Sequence, residues 1–312
     1  MKNIGLLIFL LLGLSHLMAQ SNMNDYQDRM IESSKHWLDL DYVGDEHIGH
    51  RLDIHLPTLE MEAYPVIICI YGSAWFSNDR KSAAFISGIG QTLLENGFAV
   101  VTINHRSSRD AIFPAQIHDV KAAIRFIRAN GNQFSLDTNF VGITGWSSGG
   151  HLSAFAGTSS HTSEFSLDGE EIDLEGDLGD FSGSSSHVDA VVDWFGPTDF
   201  LIMDKCGSSF SHNDAQSPES SLVGGEIQTH VIACRMADPA TYVKDDNPPF
   251  LIFHGDADPL VPHCQSQHLY DKLQAANVPS ELFIIEGGKH GPGVMIDNYF
   301  SQMIEFFKSH IE

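Results

Sequence analysis

Cysteine, positive charge and long apolar runs are all scarce in this chain, and each scarcity closes off a class of protein. Four cysteines in 312 residues are too few for the disulfide framework that holds small secreted domains together. Lys and Arg number 17 against 41 Asp and Glu, a formal net charge of −24 that repels nucleic acid and anionic membranes. The same balance disfavours strongly acidic polymers as substrates, whereas a neutral ester on a polysaccharide is unaffected. Beyond the N-terminal segment no apolar run reaches membrane-spanning length. No segment repeats. The 17 histidines include no H-E-x-x-H, and His47, His50 and His254 have no partners at ligand spacing. Neither a metal nor a cofactor is therefore expected.

At the N-terminus, Lys2 precedes the apolar run Ile4–Leu14, which is followed by Leu17-Met18-Ala19 and polar Gln20-Ser21-Asn22. This pattern reads as a secretory signal peptide over residues 1–19, cleaved after Ala19 and too short to cross a membrane as a helix. Export to a periplasm or beyond is the expectation, with residues 20–312 as one catalytic domain. In an oxidising compartment Cys206 and Cys234, which share a segment, can bond; the sequence leaves that pairing open. Cys69 falls in a core strand and Cys264 is expected to be free.

Short apolar runs at strand length recur at Arg51–Leu56, Val66–Ile70, Ala99–Asn104, Val141–Thr144, Ala190–Phe195, Phe250–His254 and Glu281–Ile285. Helical patterns lie between them, at Ser82–Glu95, Pro114–Asn130, Gly150–Gly157, His263–Ala276 and Asp297–Ser309. Such alternation predicts an α/β fold, a mostly parallel sheet covered on both faces, with Arg51–Leu56 antiparallel to the rest. Two segments break the rhythm. Thr158–His187, rich in Ser, Gly and acids, reads as a solvated loop. Phe200–Asp246, about residues 200–246 in all, is read as a lid insertion that carries part of the specificity.

The chemistry concentrates in the loops that follow the apolar runs. Gly145-Trp146-Ser147-Ser148-Gly149-Gly150 has the form of a nucleophile elbow, G-x-S-x-G, in which a tight turn lifts a serine hydroxyl above the sheet. Small residues are needed two positions either side, which selects Ser147 over Ser148. Asp258 follows a later strand and His290 follows the last, giving the chain order Ser, Asp, His. A serine hydroxyl needs a base to become nucleophilic, histidine titrates in the right range, and a carboxylate fixes its tautomer. Asp256 competes with Asp258 for that last role and is read instead as a turn residue. Oxyanion donors are expected from the backbone N–H groups of Ser148 and of Ser73 and Ala74, in the loop Tyr71-Gly72-Ser73-Ala74-Trp75.

With these motifs assembled, the chain resembles α/β-hydrolase esterases and lipases of the hormone-sensitive-lipase-like group, closest to bacterial bifunctional feruloyl and acetyl-xylan esterases. The resemblance spans about residues 37–309. It includes His254-Gly255-Asp256-Ala257-Asp258-Pro259-Leu260-Val261-Pro262, Gly288-Lys289-His290-Gly291 and Val192-Asp193-Trp194-Phe195-Gly196-Pro197-Thr198-Asp199, with Ile103-Asn104-His105-Arg106 a looser match. The family's oxyanion loop reads His-Gly-Gly-Gly/Ala-Trp; here Tyr71 replaces the histidine and Ser73 a glycine.

What the resemblance implies, with the export pattern at the N-terminus, is a secreted serine esterase with an acyl-enzyme intermediate. Its substrates would be small-molecule or polysaccharide esters of acetyl or feruloyl type. Trp75 and Trp146 flank the hole and the nucleophile and are candidate substrate-binding residues, against the plainer reading as core aromatics. Asp119 is read as a buried or capping carboxylate, Arg106 as half of an ion pair, and His254 as a brace for the acid loop. A prolyl-oligopeptidase-like serine peptidase shares the elbow and the order of the triad, but no propeller repeats are present. A binding protein on a hydrolase fold would require a lost triad member.

Overall fold

The computed structural model describes residues 31–311, so the segment read as a signal peptide lies outside the described residues. Ten short strands carry the apolar runs: Lys35–Asp41 (β1), Arg51–Leu56 (β2), Tyr64–Ile70 (β3), Ala99–Ile103 (β4), Leu136–Trp146 (β5), Glu164–Leu167 (β6), Glu170–Asp173 (β7), Ala190–Trp194 (β8), Phe250–Gly255 (β9) and Ser280–Ile285 (β10). The α-helices are Ala83–Ile86 (α1), Ile89–Glu95 (α2), Ala115–Asn130 (α3), Ser148–Thr158 (α4), Pro218–Val223 (α5), Val231–Met236 (α6), Cys264–Ala275 (α7) and Asp297–Ser309 (α8).

Eight strands form one sheet in the order β1-β2-β4-β3-β5-β8-β9-β10. β1 and β2 run antiparallel at one edge, and from β4 onward every pairing is parallel. This is the α/β-hydrolase architecture. Alternation along β3 shows why both faces are covered. Val66, Ile68 and Ile70 join the core under α3, α4 and α7, while Ile67 and Cys69 join the core under α1, α2 and α8. With all seven β3 residues buried, a period-two polar face is impossible and the strand reads as a continuous apolar run.

Several elements differ from the sequence expectation. The helix expected over Ser82–Glu95 is two pieces, broken at Gly88, whose φ of 90° is left-handed. β1 was not expected, because its residues are mostly exposed at the sheet edge and carry little apolar signal. Thr158–His187 is not a plain solvated loop. It holds the β6–β7 hairpin, turned at Asp168-Gly169 with both residues at positive φ (53° and 91°), the two-residue hairpin turn that D-G favours. Ile172 and Leu174 are buried beneath it. Glu175 receives Lys121 Nζ (3.1 Å) and Arg125 Nη1 from α3 and Ser186 Oγ (2.8 Å), so one acid of the run pins the segment to a helix.

The insertion between β8 and β9 packs into the main core through Phe200, Met203, Leu222, Ile227, Cys234 and Tyr242. A disulfide joins Cys206 to Cys264, with Cα atoms 6.3 Å apart. Cys264 is therefore not free, and Cys206 does not bond Cys234. The side chain of Cys234 turns inward from α6, where its thiol is buried and pushed up to about 12 by desolvation. Cys206, at the end of a 3₁₀ turn, instead meets the first residue of α7. His268 of α7 adds a second clasp, Nε2 to Asp238 Oδ2 at 3.0 Å.

Two stability predictions follow from this packing. The bond closes a loop across a sequence separation of 58. Cys206→Ser is therefore expected to cost up to about 4 kcal/mol, read as a lower melting temperature that added reductant reproduces in the parent. The second concerns Asp193, which is fully buried on β8; burial pushes its carboxyl up to about 7 against a single 2.9 Å hydrogen bond from the Gly196 N–H. The folded state then holds a proton the unfolded chain releases near pH 4, so this group's contribution is full below about pH 4 and falls as pH rises to about 7. Asp193→Asn should raise the melting temperature at pH 8 by a few degrees and leave it little changed at pH 4–5; equal shifts at both pH values would contradict the protonation argument.

Candidate active site

Parallel register sets the level of the site. Ile70 pairs with Gly145, Trp146 with Trp194, Trp194 with Phe253, and Gly255 with Ile285. The carboxyl ends of β3, β5, β8, β9 and β10 therefore finish at one height. The loops beyond them meet where ligands bind in open α/β sheets.

Ser147 sits between β5 and α4 at φ 55°, ψ −125°, a strained conformation for a residue with a side chain. The surrounding backbone enforces it. A methyl group on Gly149 would run into the Ile70 and Tyr71 carbonyls, and one on Gly145 into Gly149 itself. The Ser147 N–H is held by the Trp194 carbonyl at 2.9 Å. Ala74, Trp75 and Phe195 also have positive φ, 53°, 56° and 45°, so several of the chain's strained side-chain-bearing residues cluster around this one serine.

The structure brings the three candidate triad residues together. His290 Nε2 lies 3.0 Å from Ser147 Oγ, and His290 Nδ1 lies 2.7 Å from Asp258 Oδ2. The second Asp258 oxygen accepts the Leu260 and Val261 N–H groups at 2.8 and 3.0 Å. Burial would raise this carboxyl. The hydrogen bonding from His254 and His290, the imidazole charge and the Leu260 amide outweigh it and hold the group well below the usual carboxylate range. A carboxylate that stays charged keeps the Nδ1 proton in place and leaves Nε2 to accept from the serine.

The neighbours of the acid separate structural from chemical roles. Asp256 points away from His290, and its Oδ1 accepts the Gly287 N–H at 2.7 Å, tying the acid loop to the histidine loop. His254 braces the same loop, with Nε2 2.8 Å from the Val261 carbonyl and Nδ1 2.7 Å from Ser266 Oγ. Asp119 is buried and takes Arg106 Nε and Nη2 at 2.9 and 2.6 Å. That ion pair orders the loop after β4, away from the serine.

The oxyanion loop departs from expectation at one residue. The Ser73 N–H donates to Ser148 Oγ at 2.9 Å, so it is committed to pinning the loop on the start of α4. The Ala74 and Ser148 N–H groups have no acceptor among the described residues, and both residues line the pocket over Ser147. Of the three candidate oxyanion donors, those two amides are the ones left free. Here the second elbow serine acts on the loop, because Ser148 supplies the oxygen that fixes the Ser73 backbone, while the Ser73 hydroxyl itself finds no partner among the described residues.

Above the serine lies a cavity of ≈ 130 Å³ with Trp75, Pro197, Phe210, Leu260 and Val261 among its walls. Trp75 is both core and pocket: it is 1% exposed and meets His151 and Phe200 edge-on at 5.1 and 5.6 Å. Trp146 is not among the lining residues; its indole packs over Gly72, where an added methyl would lie 2.8 Å from the ring. The insertion supplies Phe210, His212, Pro218 and Glu219, none of which the sequence singled out. Ser217-Pro218 is a readable helix start, and Ser217 Oγ does cap Ser220 N at 3.0 Å. No local pattern says which way Glu219 faces.

A spectroscopic prediction tests the relay independently of turnover. The short Nδ1–Oδ2 contact should give a far-downfield ¹H NMR signal from His290 in the parent. Asp258→Asn should abolish it, and Asp256→Asn should leave it in place; loss in the latter would reverse the choice of acid.

Comparison with known proteins places the chain among esterases. The BD-FAE family model matches residues 52–273. A solved structure described as a truncated form of carbohydrate esterase from gut microbiota is 46% identical with a TM-score of 0.86, covering 90% of this chain and 97% of that one. A bifunctional GH43-CE protein of Bacteroides eggerthii is also 46% identical, TM-score 0.83, covering 89% of this chain and 38% of that one. Among curated proteins, the probable carboxylic ester hydrolase LipM of Mycobacterium tuberculosis is 30% identical over 254 residues, 79% of this chain and 53% of its own length. The chain spans about half the length of the curated relatives it matches. Matched by that family model over most of its length, the chain belongs to the BD-FAE family of α/β-hydrolase esterases.

Proposed function

We propose that this protein is a serine carboxylic-ester hydrolase that acts through an acyl-enzyme on acetyl- or feruloyl-type esters of carbohydrates or other small alcohols. The observation that carries the reading is the Ser147–His290–Asp258 relay, 3.0 and 2.7 Å, at the floor of a small, largely apolar cavity. Ser147 Oγ attacks the ester carbonyl as His290 Nε2 takes its proton. The oxyanion is held by the N–H groups of Ala74 and Ser148, and His290 returns the proton to the leaving alcohol. Water then repeats the sequence on the acyl-enzyme, with His290 as base.

The cavity of ≈ 130 Å³ is well below the roughly 300–1,000 Å³ of drug-sized ligand sites. That size suits a short acyl group or a single ring and disfavours a long fatty chain. The carbohydrate part of the reading rests on a 46% identical relative described as a carbohydrate esterase. Export is proposed from the apolar N-terminal run and fits a disulfide between Cys206 and Cys264, a bond that persists in oxidising compartments.

Initial rates on p-nitrophenyl acetate, butyrate and octanoate, methyl ferulate, acetylated xylan and an aminoacyl anilide test the proposal. Acetyl or feruloyl esters should be cleaved well ahead of octanoate and the anilide. Ser147→Ala should lower kcat by about 10⁴–10⁶-fold with the melting temperature retained. Anilide cleavage with poor ester turnover would move the assignment to a peptidase, and silence across the panel to a binding protein.

A further inference from the structure

One polar pair stands out in the apolar wall of the Ser147 cavity. Glu219, on the first turn of α5, and His212 both line it, and each is only 3% exposed. Glu219 Oε2 lies 3.1 Å from His212 Nδ1, but off line for a full hydrogen bond, so neither atom has a satisfied partner. Glu219 Oε1 has no hydrogen-bond donor among the described residues.

The tautomer of His212 is fixed from its other side. Nε2 lies 2.9 Å from the Leu260 carbonyl and 3.1 Å from Ser208 Oγ; the nearer carbonyl can only accept, so Nε2 carries a proton. A neutral ring would then turn the Nδ1 lone pair on the Glu219 oxygen, two acceptors at 3.1 Å. The contact is favourable only with a proton between the two atoms. Burial would lower the His212 pKa, but Glu219 outweighs it and raises it. The pair thus shares a proton across this contact, with the second Glu219 oxygen unused.

A carboxyl oxygen turned to a largely apolar cavity gains most when a donor binds there. His212 is clamped by Leu260 and by its own N–H to Asp204 Oδ1 at 2.8 Å, so it cannot swing round to supply that donor. The apolar neighbours Phe210, Pro218, Leu260 and Val261 offer none. The cavity opens onto Ser147 and His290, so the missing donor arrives with whatever binds there.

We propose that Glu219, positioned by His212, accepts a hydrogen bond from a substrate hydroxyl and makes the enzyme select hydroxyl-bearing esters over those that lack the group. This inference rests on the esterase reading and deepens it. The apolar walls grip the ring or chain that carries the hydroxyl, and Glu219 reads its polar end. A site built to bond a hydroxyl rejects the analogue without it, because the buried acceptor is then left unpaired. The hydroxyl can belong to the acyl part, as a phenol, or to the alcohol part, as the neighbour of the esterified oxygen on a sugar ring.

Two matched substrate pairs distinguish these sources. Methyl 4-hydroxycinnamate against methyl cinnamate varies only the acyl-side phenol, and trans-2-hydroxycyclohexyl acetate against cyclohexyl acetate varies only the alcohol-side hydroxyl. The parent should favour the hydroxylated member of one pair in kcat/KM by about 10–100-fold, the worth of a hydrogen bond to a charged group. Glu219→Met should bring that ratio close to one, and the isosteric Glu219→Gln should leave it intermediate. Labelling of Ser147 by a fluorophosphonate and near-UV circular dichroism establish that each variant is folded; if Glu219→Met is not, the ratio in Glu219→Gln decides. No preference in either pair for the parent, or an unchanged preference in a folded Glu219 variant, overturns the inference while leaving the esterase reading intact. Failure of the parent to cleave any of the four esters overturns the esterase reading instead.

Discussion

The architecture of this site depends on one close backbone contact, where the first turn of α4 packs directly on the end of β3. Gly149 lies against the Ile70 and Tyr71 carbonyls with no room for a side chain, and Gly145 lies against Gly149. Strand β5 can therefore reverse into α4 within a single residue, and that residue, Ser147, is left at φ 55° with its hydroxyl lifted off the sheet. The same contact brings the loop after β3 beside the start of α4, where the Ser73 N–H reaches Ser148 Oγ at 2.9 Å. The elbow serine and the candidate oxyanion amides are thus fixed by one piece of packing, and the strain at Ser147 is held by the two cores on either side of the sheet.

Everything else at the site is delivered by parallel register. β9 and β10 end at Gly255 and Ile285 side by side, so the acid loop and the histidine loop leave the sheet as neighbours. Asp256 and Gly287 then lock them together. Asp258 is the more useful acid because it folds back under its own turn, gathering the Leu260 and Val261 amides on one oxygen and presenting the other to His290. The insertion closes the remaining side. It is no loose flap: its apolar residues are continuous with the main core, and the Cys206–Cys264 bond fastens it to α7. Its contribution to the pocket, Glu219 included, is thereby anchored to the main core.

Much of this was legible in the linear chain. Apolar runs such as Val66–Ile70 and Phe250–His254 predicted strands because a strand buried on both faces has no polar positions to interrupt it. The elbow was legible because its steric demand falls on glycines at fixed spacing. The hairpin at Asp168-Gly169 was also written in the sequence, as alternation about a D-G turn, but its acids masked the apolar alternation of Phe165, Leu167, Ile172 and Leu174. Break points such as Gly88, and the exposed edge strand β1, carried too little apolar signal to be seen.

The sequence by itself determined the order of elements, the elbow serine and the order of acid and base, because each depends on residue type and spacing along a few consecutive positions. Tertiary structure alone decided the rest. Which cysteine bonds Cys206, which amide of the oxyanion loop is already spent on Ser148, that Trp75 faces the pocket while Trp146 covers Gly72, and that Glu219 meets His212 beside Ser147 are all contacts between residues far apart in the chain. Such contacts follow from how the layers pack, and no local spacing encodes the direction in which a side chain points once they do.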